Sequence, residues 1–282
     1  MILSIVTINR NNAAGLEKTM KSVLSQTRKD FEYVVVDGAS TDGSVEVIKR
    51  LAADFGDRLK WISEPDKGIY QAMNKGIRMA TGEYVEFLNS GDCLASEAVI
   101  DRMYKALEKA DHPAILYGNM LKEMTDGRVL KDRGFAGHEI PFLGFYQGTL
   151  NHSAAFIRRP LFDKYGLYDE SLKIVSDWKW FLQAIILGGE KPEYADIDVS
   201  LFDMTGISET NSELTKKERK EVLSALIPGP ILADYDEWAF PLFQMRRLKR
   251  HPWAYKLVWL LERSLFKMEK KKRARTGVTE WQ

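Results

Sequence analysis

The chain has 282 residues, 45% of them hydrophobic and 29% charged, with a formal net charge of +1. That is ordinary for a soluble globular protein, long enough for one large α/β domain with an appendage or for two small domains. A single cysteine, Cys93, excludes an internal disulfide and a cysteine-built zinc site, reads as a small buried apolar residue, and suits a reducing compartment. No apolar run reaches the roughly 18–20 residues that a spanning helix requires.

In chain order, residues 2–8 are a short β-branched run that reads as a first strand rather than a signal peptide. Leu16, Met20, Val23 and Leu24 follow at helical spacing, then a second strand at 33–37. Ile48, Leu51, Ala52 and Phe55 predict another helix, Leu59–Ile62 a third strand, Ile69, Met73, Ile77 and Ala80 a helix, and Tyr84–Leu88 a fourth strand. This alternation predicts an α/β fold, a mostly parallel sheet sandwiched by helices. A helix over 97–109 and a strand at Ala114–Tyr117 come next, then a glycine-containing hairpin and loop over 120–150. Asp177–Leu187 reads as a helix closed by Gly188-Gly189, and Tyr194–Leu201 as a late strand. Residues 205–212 read as a flexible segment, and the remainder as helices broken at Pro228, Pro230, Pro241 and Pro252. The expected domains are residues 1–205 and a helical C-terminal region, 206–282.

In an open parallel sheet, ligands bind beyond the carboxyl ends of the strands. The polar residues there are Thr7, Asn9 and Asn11 after the first strand, Asp37 after the second, Glu64 and Asp66 after the third, and Asn89, Ser90 and Asp92 after the fourth. Each has a plainer reading: Asn11 as a helix cap, Asp37-Gly38 as turn chemistry. Their joint placement on one rim points to a site. Neither Gly-x-Gly-x-x-Gly nor a Walker loop is present, which argues against dinucleotide dehydrogenases and P-loop enzymes. Carboxylates can instead hold a pyrophosphate through a divalent cation.

These segments resemble family 2 glycosyltransferases with the GT-A fold. Ser4-Ile5-Val6-Thr7-Ile8-Asn9-Arg10-Asn11 is similar to the family's opening, and Val36-Asp37-Gly38-Ala39-Ser40-Thr41-Asp42 to its second-strand motif, usually V-D-D-G-S-T-D. Glu64-Pro65-Asp66-Lys67-Gly68 resembles the segment after the third strand, and Phe87-Leu88-Asn89-Ser90-Gly91-Asp92 the approach to the metal-binding D-x-D motif. His152-Ser153 through Arg159, Gly166–Ser171 and Ser176-Asp177-Trp178 resemble the acceptor-side half, so that the likeness covers about residues 1–210. The resemblance implies that Thr7, Asn9, Asn11, Asp37, Asp66, Lys67 and Ser90 bind the nucleotide. It implies that Asp92 and Asn89 hold a divalent cation, Mg²⁺ or Mn²⁺, and that Asp177 is the general base. Two departures stand out: Asn89 and Gly91 replace two carboxylates of the metal motif, and Ser176 replaces the glutamate before Asp177. Asp177 also has a reading as a helix N-cap. His152 reads equally as a structural histidine or as a diphosphate or metal contact, and Trp178 as core or acceptor wall.

Between Arg246 and Arg275 stand twelve Lys/Arg against Glu262 and Glu269, a charge of +10 against −9 for the rest of the chain. Leu257, Leu261, Leu265 and Met268 recur at helical spacing beside Trp253 and Trp259. Such a tail suits an anionic membrane surface or packs its stripe on the catalytic domain; nucleic acid is disfavoured because no recognition module accompanies the charge. The implied function is inverting transfer of a sugar from a nucleotide diphosphate sugar, a UDP-sugar, to a saccharide or lipid-linked saccharide hydroxyl. The setting would be polysaccharide or glycolipid assembly in the cytoplasm, peripheral at the inner face of the cell membrane. The alternatives are a catalytically silent nucleotide-sugar-binding module and a nucleotidyltransferase on a related fold.

Overall fold

The structure, a computed structural model, describes residues 3–124, 127–204 and 211–276. The first half alternates β1 (Leu3–Asn9), α1 (Ala13–Leu24), β2 (Phe31–Asp37), α2 (Ser44–Phe55), β3 (Leu59–Ser63), α3 (Ile69–Met79) and β4 (Tyr84–Phe87). The four strands pair in parallel in the order β3-β2-β1-β4. All seven residues of β1 and of β2 are buried, as strands covered on both faces must be. Leu3, Ile5, Tyr33 and Val35 face a core completed by α1 and α2. α3 packs on the opposite face, so closely that a Cβ at Gly76 would meet Val6.

The sheet then changes direction. β5 (Cys93–Leu94), α4 (Val99–Lys109), β6 (Ile115–Glu123), β7 (Val129–Asp132), α5 (Phe142–Gln147) and β8 (Ala155–Arg158) are followed by α6 (Pro160–Tyr165), α7 (Ser176–Phe181) and β9 (Pro192–Phe202). β8 lies antiparallel between β4 and β6, β9 runs parallel to β6, and β5 is antiparallel to β9. The expected hairpin exists, as β6 with β7. α7 continues into a π-helical stretch, Leu182–Leu187, capped by Gly188 as the sequence predicts.

The chain divides into two compact units, residues 1–222 and 223–282. α8 (Ser212–Leu226) ends near that boundary, and α9 (Gly229–Lys249) and α10 (Pro252–Thr276) follow. Pro230 sits at the start of α9 and Pro252 at the start of α10, as breaks should. Pro241 does not break the chain: α9 runs through it. The segment read as flexible, 205–212, lies outside the described residues over 205–210. Among the described residues no helix is long and apolar enough to cross a membrane.

Candidate active site

Two cavities in the first unit meet at a common wall. One, about 470 Å³, is lined by Asn9, Asp66, Asn89, Ser90, Asp92 and Asp203 among others. The second, about 520 Å³, is lined by residues of the β6–β7 hairpin, α5, the 148–153 segment, Trp178 and Arg219. His152 and Asp177 line both. Seven of the twelve sequence-predicted site residues thus converge on the first cavity: Asn9, Asp66, Asn89, Ser90, Asp92, His152 and Asp177.

The common wall is a hydrogen-bonded triplet. α7 starts at Ser176, so Asp177 lies in its first turn, but its N-cap is Val175 and no side chain caps it. The Asp177 carboxylate bonds to other segments: Oδ2 meets His152 Nδ1 at 2.8 Å, and Oδ1 accepts the Tyr70 hydroxyl at 3.0 Å. Tyr70, at the start of α3, shares its single hydroxyl proton between Asp177 Oδ1 and the carbonyl of Ile174. Burial opposes ionisation of Asp177, yet the His152 hydrogen bond and charge prevail and hold its pKa below the usual carboxylate range. Burial likewise opposes charge on His152, and Asp177 outweighs it, raising the imidazole above 6.5. The far nitrogen, Nε2, stands 3.4 Å from Asn89 Nδ2.

The turn after β4 carries the second cluster. Asn89 Oδ1 is buried without a partner. Asp92 is 3% exposed, its Oδ1 accepting the Asp203 N–H at 2.8 Å, and burial pushes its pKa up to about 6. Gly91 has φ +108, and a Cβ there would stand 2.5 Å from Asp203 Oδ2. The room left by one missing motif carboxylate is therefore occupied by another carboxylate, delivered from the end of β9. Gly38 repeats the pattern: where the second-strand motif usually has an aspartate, a Cβ would meet Asp66 Oδ2. Among the described residues no three His, Cys, Asp or Glu side chains gather as a ready-made metal cage. The oxygens of Asp92, Asn89 and Asp203 fit a hard cation that keeps its waters and is completed by substrate phosphates, the usual habit of Mg²⁺.

Five predicted residues sit elsewhere. Thr7 is fully buried, donating to the Leu88 carbonyl at 2.6 Å and accepting the Tyr33 hydroxyl, so it braces β1 behind the site. Asp37 is also fully buried and accepts four hydrogen bonds from protein: Asn9 Nδ2, the Ser40 amide and hydroxyl, and the Ser63 hydroxyl. Burial works against its charge, and these bonds lower its pKa all the same. These bonds tie it to Asn9 and to the loop at Ser40. Asn11, at φ +50, ties the β1 loop to the β2 loop through Ser40 and Thr41; the cap of α1 is its neighbour Asn12, whose Oδ1 accepts the Gly15 N–H at 3.1 Å. Lys67 is exposed and off the cavity wall. Trp178, 2% exposed, lines the second cavity, its indole N–H on the Phe145 carbonyl at 2.9 Å. Sequence reasoning missed Tyr70, Asp203 and Arg219.

The profile of Glycosyl transferase family 2 matches residues 4–166, more than half of the chain. This chain belongs to glycosyltransferase family 2. A "PGL/p-HBAD biosynthesis glycosyltransferase" of Mycobacterium tuberculosis is 28% identical over 210 residues, covering 74% of this chain and 80% of that protein. An uncharacterised glycosyltransferase of the same species is 32% identical over 207 residues, 73% and 76% of the two chains. The fold is that of Staphylococcus aureus TarS residues 1–349, solved with UDP-GlcNAc, at TM-score 0.65 and 19% identity, over 79% of this chain and 64% of that one. A mannosyltransferase of Pyrobaculum calidifontis, solved with GDP-Man and Mn²⁺, gives TM-score 0.61 and 18% identity over 96% and 83%. The fold of this glycosyltransferase is accordingly of the GT-A type.

Proposed function

We propose that this glycosyltransferase moves a sugar, with inversion, from a UDP-sugar to a hydroxyl acceptor in glycolipid or polysaccharide assembly. The observation that carries the reading is Asp177 on the wall shared by two cavities, one for the donor and one for the acceptor. The acceptor oxygen forms a bond to the anomeric carbon, and the bond from that carbon to the diphosphate breaks with its electron pair on the leaving oxygen. Asp177 takes the hydroxyl proton. General-base assistance of this kind contributes about 10²–10⁴-fold. Tyr70 and His152 hold the carboxylate ionised and oriented. Attack from the acceptor cavity, opposite the leaving group, inverts the anomeric centre. Asn9 and Asp66 would meet the nucleoside, with Asp37 fixing Asn9 from behind. Asp92, Asn89 and Asp203 would hold the divalent cation. When bound, the cation neutralises the charge that develops on the leaving diphosphate.

The test is a donor panel. UDP- and GDP-sugars are incubated with the protein and Mn²⁺, and released nucleotide and the product's anomeric configuration are read by NMR. Release from UDP-sugars with an inverted product supports the reading, and no release from any donor overturns it. The second unit suits a peripheral position on an anionic membrane at the cytoplasmic face. Trp253 is 74% exposed and Leu261 59%, on a helix that also carries eight of the twelve basic residues. Co-sedimentation with phosphatidylglycerol vesicles of the full chain, but not of one ending before Arg246, supports that position, and equal recovery of both removes it.

A further inference from the structure

We propose that the acceptor carries an anionic group, a carboxylate or a phosphate, and that Arg219 reads it. The inference rests on the glycosyl-transfer reading and names the substrate class of its acceptor cavity.

Arg219 is delivered by α8 into the wall of the 520 Å³ cavity that also contains Asp177. Its position is fixed by the residue before it. Glu218 is buried, and its carboxylate accepts the backbone N–H groups of Lys173, Ile174 and Val175 at 2.8, 3.0 and 3.2 Å. That clamps α8 to the segment entering α7. It also spends the adjacent carboxylate on backbone, so Glu218 does not neutralise Arg219.

The guanidinium is left under-committed. Its Cζ lies 4.8 Å from the Trp178 ring centroid, and Nη2 donates to the Gly148 carbonyl at 3.2 Å. Nε is enclosed and has no acceptor. Among the described residues no carboxylate forms an ion pair with Arg219. Burial lowers its pKa, with the Asp177 charge acting in the other direction; a guanidinium nonetheless keeps its proton in proteins. An enclosed cationic N–H without a partner is costly to maintain. A ligand oxygen carrying negative charge would remove that cost, and the planar fork of arginine matches carboxylates and phosphates.

The other charged groups on the cavity wall are Lys122, Asp132, His152 and Asp177. Asp177 forms its ion pair with His152, and its other oxygen meets Tyr70 rather than Arg219. Lys122 and Asp132 belong to the hairpin strands. Arg219 is therefore an enclosed cationic donor on this wall with hydrogen-bonding capacity unspent, held in place against the buried Trp178 ring.

The experiment begins with UDP titrated into the parent protein with Mn²⁺ present. Glucuronic acid, glucose 6-phosphate and glucose are then titrated into the UDP-loaded protein, with binding read by ligand-observed NMR. At least one anionic sugar is expected to bind about 10- to 100-fold more tightly than glucose, the factor that a hydrogen bond to a charged group supplies. Preference for glucuronic acid identifies a carboxylate, and preference for glucose 6-phosphate a phosphate. Arg219→Met should bring both anions to the level of glucose, and Arg219→Lys should restore part of the preference. Parent protein that binds UDP but shows no preference for either anion overturns the assignment of Arg219 alone. A preference that survives Arg219→Met in a folded protein does the same. Parent protein that does not bind UDP overturns the UDP-sugar reading on which this inference rests, and this inference with it.

Discussion

Glu86 lies on β4, three residues before the Asn89–Asp92 turn, and gives the account a test on the strand that carries the site. Its alternation places it with Tyr84 and Leu88 on the core face. It is fully buried, neither carboxylate oxygen has a partner, and burial raises its pKa from 4.5 to about 8. Below pH 4.5 the group is protonated folded or unfolded and has no effect on stability. As pH rises, the unfolded chain ionises first, so the unfolded state binds fewer protons and folding stability falls. The loss accumulates until the native carboxyl also ionises near pH 8. At about 1.4 kcal/mol per pH unit across that interval, it approaches about 5 kcal/mol. Glu86→Gln keeps the shape and cannot ionise. Any cost of burying the amide is the same at every pH, and Asp92, which titrates in the same direction, is present in both proteins. Urea melts of parent and variant at pH 5, 7 and 9 should diverge, the variant gaining several kcal/mol relative to the parent between pH 5 and 9. Parallel stability curves would refute the burial of an unpaired carboxyl at this position.

Two further outcomes concern the site. Tyr70→Phe removes the hydroxyl that donates to Asp177 Oδ1, a hydrogen bond to a charged group worth about 1.5–3 kcal/mol. It should lower kcat by about 10-fold or more with KM for the donor unchanged; a rise in KM alone would place Tyr70 in donor binding. UDP should bind more tightly with Mn²⁺ than with EDTA by calorimetry, and Asp92→Ala should abolish the difference, whereas equal affinity in both buffers would remove the cation from Asp92, Asn89 and Asp203.

The parallel half of the sheet was legible because strands buried on both faces are continuous apolar runs, and Tyr33–Val36 is one. Two of the antiparallel strands were not: β5 has two residues and β8 four, too short to show a period. β9 is long, but the register shifts that bend it against β6 around Asn119 leave no trace in its alternation. At the site, the rule that ligands gather beyond strand ends picks out Asn9, Asp66 and Asp92, which line the 470 Å³ cavity, and also Thr7 and Asp37, whose side chains are buried and hydrogen-bonded within the protein. The same rule applied to the late strand would have found Asp203, which directly follows it. Arg219 had no comparable signal, since its importance comes from Glu218 gripping the backbone at 173–175, a contact between segments 44 residues or so apart. The departure at Gly91 reads as a loss in the sequence; in three dimensions the space there, and likewise at Gly38, is filled by an aspartate from another loop.

The central claim is that Asp177 takes the acceptor's proton. Asp177→Asn preserves size and removes that capacity while leaving the donor-side residues intact. Transfer from the best donor of the panel, followed under saturating substrates, should fall about 10²–10⁴-fold in the variant, with UDP affinity close to the parent's. Near-normal turnover in folded Asp177→Asn protein would contradict the account, because the proton would then leave by a route that Asp177 does not provide.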